Sequence, residues 1–417
     1  MKFLHISDVH LGCTRYQLSE SPRDFFDAWF DVLEKHAIAE KVEFVIICGD
    51  FFHKRHVDPQ TMNHAFYGLQ KLREAEIPVV VIEGNHDQHY NDVRHSWLRS
   101  LNDWGLIKLL EPDSDDSNKF KIWDELTKSG SFIDIGRARV FGSHWYGAAA
   151  NVAIPMITKS IQENRRENAF HILMLHTDVE GHQTHPIPAL SLANLKELKA
   201  AVEYVGLGHT HKYYEIDNWA FNPGSLEVTS IDEYREEHGA FLVEVTGENQ
   251  ITARHLKDYR QRPFQRLIFD VSGRPEPKDV TEGVLNLVKT EAKTFDEKQP
   301  IIEITLRGHL GFKNSDLEIQ EIREKAQKLT DALHVRIKNH SAPIEYAVAA
   351  DAGEDVSREE LERRVIEDLI ARQPRYNLRV REMTDVIIGA KRSALNDELP
   401  EKIVDFISLK LAVSGEQ

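Results

Sequence analysis

The chain has 417 residues, 41 % hydrophobic and 29 % charged, which excludes a largely disordered or fibrous protein and predicts two or three domains. With 52 lysines and arginines against 68 aspartates and glutamates, the formal charge is −16; this argues against a nucleic-acid binder working by overall attraction alone, although bound divalent metals or a partner can supply positive surface. Two cysteines, Cys13 and Cys48, exclude a disulfide framework and a four-cysteine zinc site, and fit a reducing, cytoplasmic compartment.

In chain order, Phe3-Leu4-His5-Ile6 predicts a strand, and Asp8 interrupts the apolar run before the core of an export signal could form. Phe25, Trp29, Leu33 and Ala37 recur every four residues, so Arg23 to Glu40 predicts an amphipathic helix. Phe44 to Cys48 is a continuous apolar run, the pattern of a buried strand. Pro59 to Ala75 predicts a helix with proline in its first turn. Buried strands are expected again at Val79–Ile82, Ile172–Leu175 and Tyr204–Leu207, and the pattern from Trp219 to Leu256 is mostly strand. No run approaches the ~18 apolar residues of a membrane span. The alternation predicts an α/β core over residues 1–260, with central β-sheets flanked by helices.

A second pattern opens at Pro263. Strand, helix, strand, helix and strand are expected at Phe264–Val271, Pro277–Phe295, Ile301–Leu306, Asp316–Leu333 and His334–Lys338. This is a small α/β cap over residues 261–340. Residues 341–356 lack periodicity and predict a linker. Residues 357–417 predict a helical tail, opened by a Ser357/Glu360 capping box and an apolar stripe of Leu361, Val365, Ile366, Leu369 and Ile370. Two more helices are expected at Thr384–Leu395 and Pro400–Leu411. The tail either packs on the body or lays its apolar face in a partner's groove.

The chemistry lies in five short polar motifs: Asp8-Val9-His10, Gly49-Asp50, Gly84-Asn85-His86-Asp87, His176 and Gly208-His209-Thr210-His211. Each directly follows an apolar run that predicts a strand. Sites in open α/β sheets form outside the carboxyl ends of strands, so the five can converge. Residues at i and i+2 of an extended chain face one side, which pairs Asp8 with His10 and His209 with His211. The glycines allow sharp turns or close approach. Asp8, His10, Asp50, Asn85, His176, His209 and His211 are candidate ligands. A single tetrahedral metal takes about four, so this set suits two metals sharing a ligand. Mixed imidazole and carboxylate donors suit Mn²⁺, Fe²⁺ or Zn²⁺.

The combined set resembles the calcineurin-like metallophosphoesterases over about residues 1 to 250. Asp8-Val9-His10-Leu11-Gly12, Gly49-Asp50-Phe51-Phe52-His53 and Asn222-Pro223-Gly224-Ser225 resemble its DNA-repair nuclease branch, which includes the bacterial SbcD subunit and the meiotic recombination eleven nuclease. The resemblance implies two divalent ions, with Mn²⁺ the expected metal. It assigns Asp8, His10 and His211 to one ion, Asn85, His176 and His209 to the other, and Asp50 as the bridge. It implies that His86 stabilises the transition state or protonates the leaving oxygen, that Asp87 orients His86, and that His53 contacts the phosphate. The residue at His53 matches archaeal and eukaryotic members more closely than some bacterial ones.

The implied activity is a two-metal DNA nuclease that processes double-strand breaks or DNA ends, cutting from ends, with cutting at internal sites left open. Lys54, Arg55 and His56 beside the site, and Arg260, Arg262 and Arg266 entering the cap, are candidate contacts to the DNA backbone. The implied partners are DNA, an SMC-like coiled-coil ATPase subunit of the SbcC type and a second copy of the chain, at the nucleoid and away from membranes. No P-loop is present, so ATP use would belong to the partner. The rival readings are a phosphoesterase acting on a nucleotide, a phosphoprotein or a small phosphodiester, and a non-catalytic scaffold.

Overall fold

A computed structural model describes residues 1–88, 95–112, 120–183, 188–293, 295, 298–343, 358–371, 373, 375–395 and 398–412. The chain divides into two compact units, Met1–Arg262 and Pro263–Gln417. No helix among the described residues is long and apolar enough to cross a membrane.

The first unit is built on two sheets. Strands β1 (Lys2–Ile6), β2 (Phe44–Cys48), β3 (Val79–Ile82) and β4 (Lys108–Leu109) pair in parallel in that order. The second sheet holds β5 (Phe132–Ile135), β6 (Ala138–Phe141), β7 (Phe170–His176), β8 (Tyr204–Gly208), β9 (Tyr214–Ile216) and β10 (Ala220–Asn222), in the order β5-β6-β7-β8-β10-β9. Its inner strands β6, β7, β8 and β10 are parallel, with antiparallel edges. The antiparallel pair β11 (Ala240–Thr246) and β12 (Gln250–Leu256) completes the first sheet beside β1.

The apolar runs are continuous because both faces of these strands are covered. On β2, Phe44, Ile46 and Cys48 pack toward the second sheet, against Ile172, Met174, Tyr204 and Phe221. Val45 and Ile47 point the other way, into a cluster with Trp29, Leu33 and Leu69. Those residues come from helix α1 (Ser21–Val32), its continuation and helix α2 (Pro59–Glu74). Leu173 and Leu175 of β7 pack similarly on Ile154, Ile157 and Ile161 of helix α3 (Ala150–Glu163). The layers therefore run helix, sheet, sheet, helix. Asp58 caps α2, its carboxylate accepting from Gln60 N and Thr61 N, with Pro59 at the first helical position. The helix expected to Glu40 ends as an α-helix at Val32 and continues as a wider π turn, Leu33–Ile38.

The second unit contains β13 (Phe264–Asp270), helix α4 (Pro277–Glu291), β14 (Ile301–Arg307), β15 (His309–Leu310), helix α5 (Ile319–Thr330), β16 (His334–Asn339) and β17 (Ala342–Pro343). Strands β13, β14 and β16 form a parallel sheet. Val280, Val284, Val288, Ile322 and Ala326 of the two helices pack on its Leu267, Phe269, Ile302, Ile304 and Val335. The expected linker begins too early at 341. Ser341 is buried, and Ala342–Pro343 pairs in parallel with His309–Leu310. The remainder of that linker and Ser357 of the capping box lie outside the described residues. Three tail helices follow, α6 (Arg358–Ala371), α7 (Val380–Leu395) and α8 (Pro400–Ala412). Asn314 Nδ2 donates to both carboxylate oxygens of Asp368, at 3.1 and 3.2 Å, tying α6 to the sheet-bearing part of its unit.

Helices α1 and α2 meet where Gly68 faces the indole of Trp29, which is fully buried; a β-carbon at Gly68 would overlap that ring. Gly68→Ala gains helix propensity but overpacks the contact, and a net loss of about 1–2 kcal/mol is expected. Denaturant unfolding checks this, and an equal or higher midpoint would refute it.

Candidate metal centre

The five motifs occupy the carboxyl ends of β1, β2, β3, β7 and β8. The backbone there is unusual. Asp8, His10, Asp50 and His209 have φ of 51°, 49°, 49° and 88°, a left-handed region that side-chain-bearing residues rarely adopt. Their convergence does not come from extended geometry, as the i, i+2 argument expected. Left-handed residues turn Asp8 and His10 inward instead.

Hydrogen bonds hold this backbone. Asp8 N donates to Gly49 O at 3.1 Å, His10 N to Asp50 O at 3.0 Å and Leu11 N to Phe51 O at 2.9 Å, joining the tips of β1 and β2. The carboxylates take part as well. His209 N donates to Asp8 (3.2 and 3.0 Å), and His86 N donates to Asp50 Oδ1 (2.8 Å). Gly49, with φ +90°, sits where a β-carbon would overlap His176 Nδ1; one at Gly84 would overlap the Asp50 carboxylate.

Among the described residues the donors form three groups, one of them His10 with His53 and His86, and the two that contain carboxylates adjoin. Asp8, His10 and His211 make one, and Asp50, His176 and His209 the other, each with its ligand atoms within 4.8 Å of one another. Asn85 Oδ1 joins the second set, 3.2 Å from His176 Nε2. Asp50 Oδ2 lies 3.3 Å from His176 Nε2 and 4.0 Å from His10 Nε2, between the sets. His10 Nε2 and His211 Nε2 face each other at 3.0 Å. The structure thus brings together all seven residues that sequence reasoning named as ligands.

Electrostatics fit the same purpose. Burial, then His211, hold His10 well below the ordinary imidazole range. Burial lowers His53 and His209 to about 4, helped by His86 and by His176 respectively. Burial also opposes charge on His176, but the adjacent Asp50 carboxylate more than offsets it, raising the ring to about 9. Burial likewise opposes ionisation of Asp50, yet His176, His10 and His86 hold its carboxyl far below the usual range. Burial opposes charge on His211 too, but the Glu233 carboxylate raises it to about 9. The lowered rings of His10 and His209 offer lone pairs directly, and His176 and His211 would each release a proton on binding a divalent cation. The donor set fits two such ions, one in each half.

His53 and His86 adjoin the first set, their ring centroids 5.5 Å apart and nearly parallel. His53 Nδ1 lies 3.3 Å from His10 Nδ1. The expected role of Asp87 is corrected. The His86 ring is oriented by the carbonyl of His53, 2.7 Å from its Nδ1. Asp87 is buried instead beneath the loops, accepting from Phe51 N (3.1 Å), Phe52 N (2.9 Å) and Gly84 N (3.1 Å). Burial, then the charge of Asp50, push its carboxyl up to about 8 against those amide donors.

Lys54, Arg55 and His56 are exposed on the loop after β2. Arg55 Nη2 reaches Asn85 O and Gln88 Oε1, both at 3.4 Å. The other arginines are corrected. Arg262 is 9 % exposed and clamps Asp24, with Nε and Nη2 each 2.7 Å from a carboxylate oxygen. Arg260 pairs with Asp31 at 2.6 Å, and Arg266 with buried Glu303 at 2.6 Å. These side chains pair with acids of the fold, Arg260 while still 42 % exposed.

Sequence reasoning missed three groups behind the ligands. Glu233 Oε1 is 2.9 Å from His211 Nδ1, the Cys48 carbonyl is 2.8 Å from His176 Nδ1, and Asp178 Oδ2 is 3.7 Å from His209 Nε2. Asn222 Nδ2 also braces the Gly-His-x-His loop, donating to Thr210 O (2.6 Å) and Lys212 O (2.8 Å).

Strand tips of a layered α/β core carrying these donors define a metal-dependent phosphoester hydrolase. The calcineurin-like phosphoesterase family profile matches residues 1–213, and the chain belongs to that family. The chain is similar to the DNA double-strand break repair protein Mre11 of Sulfolobus acidocaldarius, 26 % identical over 361 residues that cover 82 % of this chain and 84 % of that protein. The Mre11 protein of Sulfurisphaera tokodaii is 27 % identical over 335 residues, 78 % of each chain. That of Archaeoglobus fulgidus is 29 % identical over 252 residues, 57 % of this chain and 54 % of its own.

Asp87→Ala leaves the amides of Phe51, Phe52 and Gly84 without their acceptor, at a cost of about 1–3 kcal/mol for each buried group left unsatisfied. A loss of at least about 3 kcal/mol in unfolding free energy is expected. Unchanged stability with a slower reaction would restore the orienting role.

Proposed function

We propose that this chain is a two-metal DNA nuclease that processes double-strand breaks and DNA ends by hydrolysing phosphodiesters. The observation that carries the reading is the pair of donor sets joined by Asp50. The similarity to archaeal DNA double-strand break repair proteins supports DNA repair as the setting. The mixed imidazole, carboxylate and amide donors favour Mn²⁺. When bound, the two ions neutralise phosphate charge and let water attack phosphorus in line at neutral pH.

The chain's own residues supply the rest. Asp8, His10 and His211 hold one ion, Asn85, His176 and His209 the other, and Asp50 holds both. His86, its Nδ1 fixed on the His53 carbonyl, presents Nε2 to the leaving oxygen, and its protonated form donates there. His53 steadies a non-bridging phosphate oxygen. Lys54 and Arg55 grip the flanking sugar-phosphate backbone without reading bases. No covalent intermediate on the protein is needed.

Residues 1–260 are the catalytic domain in this reading, and residues 261–340 a DNA-binding cap. The tail docks an SMC-like coiled-coil ATPase of the SbcC type, and the chain works as a homodimer in the cytoplasm at the nucleoid. The tail's exposed apolar residues support the docking role. Leu369, Leu378, Val404 and Leu409 lie 54 %, 95 %, 59 % and 66 % exposed.

Asp50→Asn is expected to lower Mn²⁺-dependent cutting of linear DNA by at least about 10²-fold while the protein stays folded. Wild-type cleavage of a small chromogenic phosphate ester with none of DNA would overturn the nuclease reading. A double substitution, Val404→Asp with Leu409→Asp, is expected to abolish co-purification with the coiled-coil ATPase and leave DNA cutting unchanged. Undiminished capture would refute docking through the tail.

A further inference from the structure

His211 is held from behind by a residue that belongs to none of the five motifs. Glu233 closes the short turn Ile231–Glu233, and its Oε1 lies 2.9 Å from His211 Nδ1. The carboxylate is itself fixed. Thr229 N donates to Oε2 at 2.9 Å, and Thr229 Oγ1 donates to Oε1 at 2.7 Å. The turn is pinned in its place by Tyr16, whose hydroxyl accepts from Ile231 N at 2.7 Å. Just before it, Glu227 is fully buried and paired with Arg15 at 3.0 Å. A carboxylate behind an imidazole keeps the proton on the near nitrogen, so the far nitrogen offers its lone pair, and it raises the basicity of that nitrogen.

A second pair in the same unit shows the same contact without a ligand role. His171 Nδ1 lies 2.8 Å from Glu203 Oε2, but its Nε2 accepts from Arg166 N at 3.1 Å, so both ring nitrogens are used within the fold. His211 Nε2 instead faces His10 Nε2 at 3.0 Å and Asp8 Oδ1 at 3.9 Å. Across the centre, His176 Nδ1 meets a neutral carbonyl, that of Cys48. The Asp178 carboxylate stands 3.7 Å from His209 Nε2, beyond hydrogen-bond reach, and takes a hydrogen bond from Thr210 Oγ1 instead. The two halves therefore differ in how closely a carboxylate backs their imidazoles, at 2.9 Å behind His211 and no nearer than 3.7 Å behind His209.

The geometry points to Glu233 as a positioning residue that acts through His211, giving the Asp8–His10–His211 half the higher affinity for its divalent ion. This inference rests on the two-metal reading above.

The test is Mn²⁺ binding to the metal-free full chain without substrate, by calorimetry and by the electron paramagnetic resonance signal of free Mn²⁺. Wild type is expected to bind two ions of unequal affinity. Glu233→Gln, which keeps size and an acceptor oxygen but loses the charge, is expected to weaken the tighter ion about 10–100-fold. The looser ion should move by no more than about 2-fold. In a His211→Ala background the added Glu233→Gln should change binding by no more than about 2-fold, because its route of action is gone. Should Glu233→Gln fail to fold, Thr229→Val, which removes the hydroxyl that fixes the carboxylate, is expected to weaken the same ion. Equal weakening of both ions, no weakening, or a full effect without His211 would each overturn the role of Glu233. A wild type that binds no Mn²⁺ would instead overturn the metal-centre reading beneath it.

Discussion

The structure depends on holding many polar and ionisable groups together away from water. His10 and His211 point ring nitrogens at each other across 3.0 Å, and the carboxylates of Asp8 and Asp50 are buried beside them. Water cannot solvate these groups there, and a lone carboxylate in such a place is costly. The backbone adds its own strain. Asp8, His10, Asp50 and His209 lie in left-handed conformations, each costing on the order of 1–3 kcal/mol for a residue with a side chain. Strain persists only where its surroundings over-determine it. Here the surroundings are two sheets buried on both faces, whose strands stop at the same edge of the layered core.

The cross-links among the strand tips explain how the geometry survives. The backbone pairing of β1 and β2 continues past the regular strands, through Asp8, His10 and Leu11. Asp87 draws in the amides of Phe51, Phe52 and Gly84, which ties the loops after β2 and β3 together. Gly49 and Gly84 leave room for His176 and Asp50 to approach. Each device fixes a donor from the backbone side and leaves its ligand atom free. The 4.0 Å from Asp50 Oδ2 to His10 Nε2 is framed by main-chain hydrogen bonds on both residues.

Much of this was legible in the sequence because the signals are local. Phe44–Cys48 and Val79–Ile82 read as strands since each is an apolar run with both faces covered, and each candidate ligand follows such a run within a few residues. The alternation after Pro263 was legible for the same reason. What escaped was tertiary. Glu233 stands far along the chain from His211 in no motif, and nothing in its neighbours marks it. Arg262 looked like a free cation because its partner, Asp24, lies near the other end of the unit. Asp87 sits beside His86 in sequence but turns its carboxylate to the amides beneath, so adjacency suggested the wrong partner. Ser341 to Pro343 read as linker because a two-residue pairing with His309–Leu310 is too short to leave a periodic trace.

The fate of the arginines also resolves the tension between an acidic chain and a phosphodiester substrate. Arg15, Arg260, Arg262 and Arg266 are each paired with acids of the fold, so they add little field outside it. The formal charge of −16 is then a property of the whole surface, screened beyond roughly 8–10 Å at physiological salt. A phosphate at the centre would respond chiefly to what lies inside that radius. There divalent ions, when bound, would offset the buried carboxylates, and Arg55 holds its guanidinium against the backbone of Asn85. Attraction for a phosphoester can be built locally at the strand tips and does not require a basic protein.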